Sequence, residues 1–211
     1  MGAAESPSLS ETLLGGRYAV INYIGQNTPR RREVAVLFAD ICGFTRLVES
    51  TEPEAVYRIM RPLLDDLVGC VHAYGGEIQQ VLGDGFMAVF GLRRSLGDEG
   101  ERATAAACAM LRAARPGRPD VHVGVECGEV LVTRSWEPAC FGVWGRAVNL
   151  AQRLCSVAGP GELVLGPNAY AGAGHLTGRA DEALVSVRGV ADPVPAHRVT
   201  FNIPIALPVA A

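Results

Sequence analysis

The chain has 211 residues, 49% hydrophobic and 19% charged, with a formal net charge of −3. This balance excludes a disordered chain and, with basic runs as short as Arg30–Arg32 and Arg93–Arg94, argues against a general nucleic-acid binder. No apolar run approaches the roughly 20 residues that cross a bilayer, and the opening M-G-A-A-E-S-P-S lacks the order of a signal peptide; no membrane association is expected, and the cytoplasm is the expected compartment.

Residues 1–30 begin polar, pass an apolar patch at Tyr18–Ile24 and end near Pro29 and three arginines, which reads as an arm packed on the domain or on a partner subunit. Val34–Phe38 then form a continuous apolar run, a strand buried on both faces, that leads through Ala39 to a carboxylate, Asp40. Ile41 and Cys42 lead to a turn at Gly43, and Phe44-Thr45 open a helix. From about Glu52 to Tyr74, Val56, Ile59, Met60, Leu63, Leu67 and Val71 recur at helical spacing, with a kink expected at Pro62. Gly75-Gly76 stop that helix. Glu77–Phe90 reads as a hairpin with Asp84 at its tip, between Gly83 and Gly85.

Glu99–Arg115 is an Ala-rich helix ended by Pro116-Gly117, and Val121–Thr133 alternates as a pair of strands with a turn expected near Gly128. Arg134–Phe141 lacks periodicity and reads as an irregular arm. A helix over Arg146–Val157 carries Asn149 and Arg153 four residues apart, on one face. A strand at Glu162–Leu165, a short helix near Pro167–Ala171 and strands at Ala183–Arg188 and Ala196–Asn202 complete the chain. Hairpins without a strict βαβ repeat imply an α+β fold with helices on one face of a sheet. Six cysteines without C-x-x-C spacing read as buried thiols, and the four histidines fall into no ligand or triad spacing, so none is expected to do chemistry.

A carboxylate beside a helix N-terminus can hold a divalent cation and a polyphosphate together. Taken singly, however, Asp40 reads as a helix cap, Asp84 as a turn residue, and Asn149 with Arg153 as a solvated helix face. Four blocks in order change that reading: V-L-F-A-D-I-C-G-F-T; H-A-Y-G-G-E-I-Q-Q-V-L-G-D-G-F-M-A-V-F-G; V-G-V-E-C-G-E-V; and W-G-R-A-V-N-L-A-Q-R-L followed by A-G-P-G-E-L. Together they resemble the class III nucleotidyl cyclase catalytic domain, the adenylate and guanylate cyclase family, over about Glu33 to Asn202.

The resemblance implies a mainly antiparallel sheet with a ferredoxin-like βαββαβ core and helices packed on it. It divides the chain into an arm (1–30), a catalytic domain (31–203) and a tail (204–211). It implies conversion of a nucleoside triphosphate to a 3′,5′-cyclic nucleotide and pyrophosphate with two divalent cations, Mg²⁺ or Mn²⁺. Asp40, Asp84 and the main-chain oxygen of Ile41 become their ligands, and the amides of Cys42, Gly43 and Phe44 become a phosphate cradle. Asn149 would orient the ribose and Arg153 would stabilise charge on the α-phosphate. The family builds its site between two catalytic domains, so a chain with all four of Asp40, Asp84, Asn149 and Arg153 implies a homodimer with shared sites.

The departures concern the base. Gln80 and Gly142 stand where the family's purine-reading pair is found; Gln80 both donates and accepts, and Gly142 offers no side chain. The late phosphate-binding lysine has no clear counterpart, Arg188 being the nearest basic residue. Lacking the purine pair and an attached sensor, the chain is similar to small bacterial cyclases that make cyclic UMP or cyclic CMP as an anti-phage messenger for a separate effector protein. An adenylate cyclase acting on ATP, and a catalytically silent cyclase-like regulatory module, are the alternatives.

Overall fold

The apolar run that opens the domain becomes the middle of a sheet. A computed structural model of the chain describes residues 11–14, 18–21, 29–113, 118–134, 141–186 and 192–201. Two short strands, β1 (Glu11–Leu14) and β2 (Tyr18–Ile21), pair antiparallel in a separate ribbon. β3 (Arg30–Ile41) is longer than the apolar run alone predicts: Arg30–Arg32 pair with Val130–Val132 of a long partner strand.

After β3 come α1 (Phe44–Ser50), α2 (Pro53–Ala73), which runs unbroken through Pro62, and the hairpin β4 (Glu77–Leu82) and β5 (Gly85–Phe90). α3 (Glu99–Arg112) leads to β6 (Val121–Arg134), β7 (Phe141–Trp144), α4 (Arg146–Val157), β8 (Glu162–Leu165), α5 (Pro167–Ala173), β9 (Asp181–Val185) and β10 (Val194–Thr200). The sheet order is β4-β5-β3-β6-β8-β10-β9, with β7 on β6. Every pair is antiparallel except β6–β8, and β3 through β6 with their helices form the βαββαβ core.

Two expectations change here. Val121–Thr133 is one strand, not two: Gly128 does not turn but stays in register opposite Val34. Helices also cover both faces. Leu37, Phe86 and Phe90 face Leu67 and Val71 of α2 and Met110 of α3, while Val36, Phe38 and Val89 face Ala147, Ala151 and Cys155 of α4. A strand apolar at every position needs this, because successive side chains point to opposite faces and each fully buried Val or Leu contributes about 1.5–3 kcal/mol.

Cys108 and Cys155 are buried and Cys42, Cys70 and Cys127 half-buried, all as free thiols. Among the described residues no helix is long and apolar enough to cross a membrane. Arg188, Cys140, most of the expected 134–141 arm, Pro116-Gly117 and the 204–211 tail lie outside the described residues.

Candidate active site

Register brings the two aspartates to one edge. Ala39 pairs with Phe86 of β5, and Gly83-Asp84 form the two-residue turn that closes β4 onto β5, with Gly83 at φ +70°. A Cβ on Gly85 would lie 2.7 Å from Asp40 Oδ1 and 2.6 Å from the Ala39 carbonyl oxygen, so only glycine lets this turn approach the end of β3. Asp40 and Asp84 therefore face each other. A hydrogen bond from His122 holds the Asp40 carboxyl below its ordinary value, while burial first and the Asp40 charge next push Asp84 up.

Asp40 is not a helix cap. The N-cap of α1 is Gly43, at φ +73°, with no side-chain cap hydrogen bond. Of the three amides expected to meet phosphate, that of Cys42 donates instead to the Asp120 carbonyl at 2.8 Å. Gly43 and Phe44 keep amides without a backbone partner among the described residues.

His122, to which no chemistry was assigned, is the residue the sequence reading missed. Across the ladder it pairs with Asp40. Its Nε2 lies 3.4 Å from Asp40 Oδ2 and its Nδ1 3.1 Å from Cys42 Sγ. The Cys155 thiol of α4 lies 3.6 Å from the His122 carbonyl. The Asp40 hydrogen bond, ahead of those with the two thiols, holds the imidazole well above its ordinary pKa. The available signal was alternation: His122 stands between Val121 and Val123, both buried, and so points the other way. Its partner is named only by the β3–β6 register.

Two opposed carboxylates suit a hard cation, which takes oxygen ligands. Among the described residues no group of three or more His, Cys, Asp or Glu could enclose an ion.

α4 buries Ala147, Leu150, Ala151, Leu154 and Cys155 and leaves Asn149 exposed and Arg153 half-buried away from that face. Among the described residues neither side chain has a hydrogen-bond or ion-pair partner. At the other end of the sheet, Gln79 occupies a bulge in β4 and its Oε1 accepts the Phe141 amide at 3.2 Å. That contact brings Gln80, exposed, and Gly142 to one edge. A Cβ on Gly142 would lie 2.4 Å from Thr133 Oγ1 and 2.8 Å from Trp144 Nε1.

The adenylate and guanylate cyclase catalytic domain family matches residues 27–189. The chain belongs to this family. An adenylate cyclase of Mycobacterium tuberculosis is 32% identical over 145 residues, 65% of this chain and 33% of that protein. The cyclase domain here thus spans about a third of the length of the curated relatives it matches. Among solved structures, the guanylyl cyclase Cya2 superposes with a TM-score of 0.73 at 28% identity, covering 86% of this chain and 99% of that one. The adenylyl cyclase CyaB from P. aeruginosa gives 0.75 at 24% identity, covering 84% and 98%, a likeness of fold.

Proposed function

We propose that this cyclase domain converts a nucleoside triphosphate to a 3′,5′-cyclic nucleotide and pyrophosphate at sites shared between two copies of the chain. The observation that carries this reading is the division of the side chains: Asp40 and Asp84 opposed at one sheet edge, Asn149 and Arg153 unpartnered on α4. The ribose 3′-oxygen bonds to the α-phosphorus as its bond to pyrophosphate breaks, and the hydroxyl proton leaves to solvent. Mg²⁺ or Mn²⁺ held by Asp40, Asp84 and the Ile41 carbonyl would supply positive charge to the attacking and leaving oxygens. Gly43 and Phe44 amides hold the terminal phosphates, and His122 keeps Asp40 oriented. From the second copy, Asn149 fixes the ribose and Arg153 meets the charge growing on the α-phosphate. Exposed Val81 (64%) and Trp144 (66%) near the sheet edge support a homodimer interface.

We read the base as a pyrimidine, uracil or cytosine, with the product acting as a messenger for a separate effector in phage defence. Supporting this, the space beside Gly142 is filled by Thr133 and Trp144, leaving Gln80 and backbone groups to meet the base edge. ATP is the second reading, favoured by the adenylate cyclase relative. Purified protein with Mn²⁺ and each ribonucleoside triphosphate separates the cases: no cyclic product from any refutes cyclase activity, and turnover of ATP alone refutes the pyrimidine reading. Mixing Asp40→Ala with Arg153→Ala chains should restore roughly one intact site per heterodimer; no rescue refutes shared sites.

A further inference from the structure

Thr133 and Trp144 do more than fill the space beside Gly142; they bring a hydroxyl to it. Thr133 of β6 and Gly142 of β7 are direct cross-strand partners, and so are Leu131 and Trp144. All four therefore share one face of the β6–β7 pair. That face is open: Trp144 is 66% and Leu131 39% exposed, and Thr133 and Gly142 are half-buried. It is also the edge that the Gln79–Phe141 contact, 3.2 Å long, holds beside β4 and its exposed Gln80.

Thr133 Oγ1 stands where a side chain on residue 142 would begin. A Cβ on Gly142 would lie 2.4 Å from that oxygen, far inside van der Waals contact. Glycine at 142 thus leaves no empty place, because the hydroxyl of the opposite strand occupies it. The indole Nε1 of Trp144 donates to Thr133 Oγ1 at 3.4 Å, and the hydroxyl in turn donates to the Gly142 carbonyl oxygen at 3.5 Å. Both bonds are longer than ordinary hydrogen bonds, so they steer the hydroxyl without using it up. With an N–H facing one lone pair, what the hydroxyl has to offer a stronger acceptor is its proton.

We propose that Thr133 is a specificity-determining residue of this cyclase domain, its hydroxyl donating to the 4-oxo group of a uracil base in the place left by the missing side chain at 142. The inference rests on the pyrimidine reading above and deepens it, choosing uracil over cytosine. Gln80 both donates and accepts, so its amide turns to suit either base and does not decide between them. Thr133 decides, because the hydroxyl meets an acceptor in the 4-oxo group of uracil and a donor in the 4-amino group of cytosine. A mismatched donor pair leaves a polar group unpaired in the closed site, and that loss is what discriminates.

The test reads binding, with the α,β-methylene analogues of UTP, CTP and ATP, in which pyrophosphate cannot leave. Each is titrated calorimetrically into the full chain with Mn²⁺. Wild type should bind the uridine analogue about 10-fold more tightly than the cytidine analogue. Thr133→Val, equal in size but without the hydroxyl, should bring the two within about 2-fold, and Thr133→Ser should restore the preference. Gly142→Ala should lose it as well, since the new methyl forces the hydroxyl to swing away. The inference is overturned if the uridine and cytidine analogues bind wild type alike, if Thr133→Val keeps the preference, or if that variant weakens all three analogues by one factor, as a merely structural role would. Failure of the pyrimidine reading looks different: the adenosine analogue then outbinds both others in wild type, and the inference falls with it. If both pyrimidine analogues outbind adenosine while Thr133→Val leaves their ratio unchanged, this inference alone falls.

Discussion

Gly124, in the V-G-V-E block, decides how closely β6 meets α4. A Cβ there would sit 2.2 Å from Cys155 N, 2.5 Å from the Ala151 carbonyl oxygen and 2.8 Å from Cys155 Cα. These are backbone atoms and cannot rotate aside. The nearest falls short of ordinary contact by about 1.2 Å, so in Gly124→Ala the helix must retreat by on the order of 1 Å. Overpacking of this kind costs about 1–3 kcal/mol, and with backbone as the obstacle we expect about 3. For a chain of this length that lowers Tm by roughly 6–12 °C. A displacement of about 1 Å at Asn149 and Arg153 should also cut turnover about 100-fold. Urea and thermal melts read the first effect, and initial rates with Mn²⁺ and the preferred nucleotide read the second. Gly69→Ala is the control: Gly69 lies within α2 with nothing within 4 Å of its would-be Cβ, and alanine there should stabilise by about 0.5–1 kcal/mol. A Gly124→Ala protein as stable and as fast as wild type would refute the reasoning.

His122→Ala removes the N–H that orients Asp40. Calorimetric titration should show Mn²⁺ binding weakened on the order of 10-fold, with partial recovery in His122→Gln, and equal affinity in the alanine variant would rule out the positioning role. Glu126 gives a pH signature. Because burial raises its folded pKa above the ordinary 4.5, the folded state holds the proton more tightly, and stability falls as pH rises from 4.5 through that raised value. Glu126→Gln, which cannot ionise, should therefore raise Tm most at pH 8 and progressively less towards pH 4 (roughly the ordinary carboxyl range). A difference independent of pH would contradict a carboxyl raised by burial.

Much of this was legible in residue order. The apolar run Val34–Phe38, the helical spacing from Val56 to Val71 and the Gly83-Asp84-Gly85 turn each encode local geometry, because period and turn chemistry are properties of neighbours along the chain. The helix at Arg146–Val157 was read with its observed bounds. Gly128 was misread because glycine marks turns yet also occurs within strands, and only the β3–β6 register distinguishes the two. The placing of helices on both faces escaped because α4 returns to the sheet from the opposite side, which periodicity within one helix does not record. Gln79 gained its role through a bulge, and a bulge is a mismatch between two strands rather than a feature of one.

By itself the sequence determined the family, the four side chains proposed for the chemistry, and the elements that carry them, since these depend on residue types at short spacing. The tertiary structure alone decided which groups meet. It set His122 on Asp40, gave the Cys42 amide to Asp120, closed the space at Gly142 with Thr133 and Trp144, and packed the buried Glu126 carboxylate against Gly166. Each of these joins residues far apart in the chain or on different strands, and such contacts follow from register and helix docking, which are settled only when the whole core packs at once.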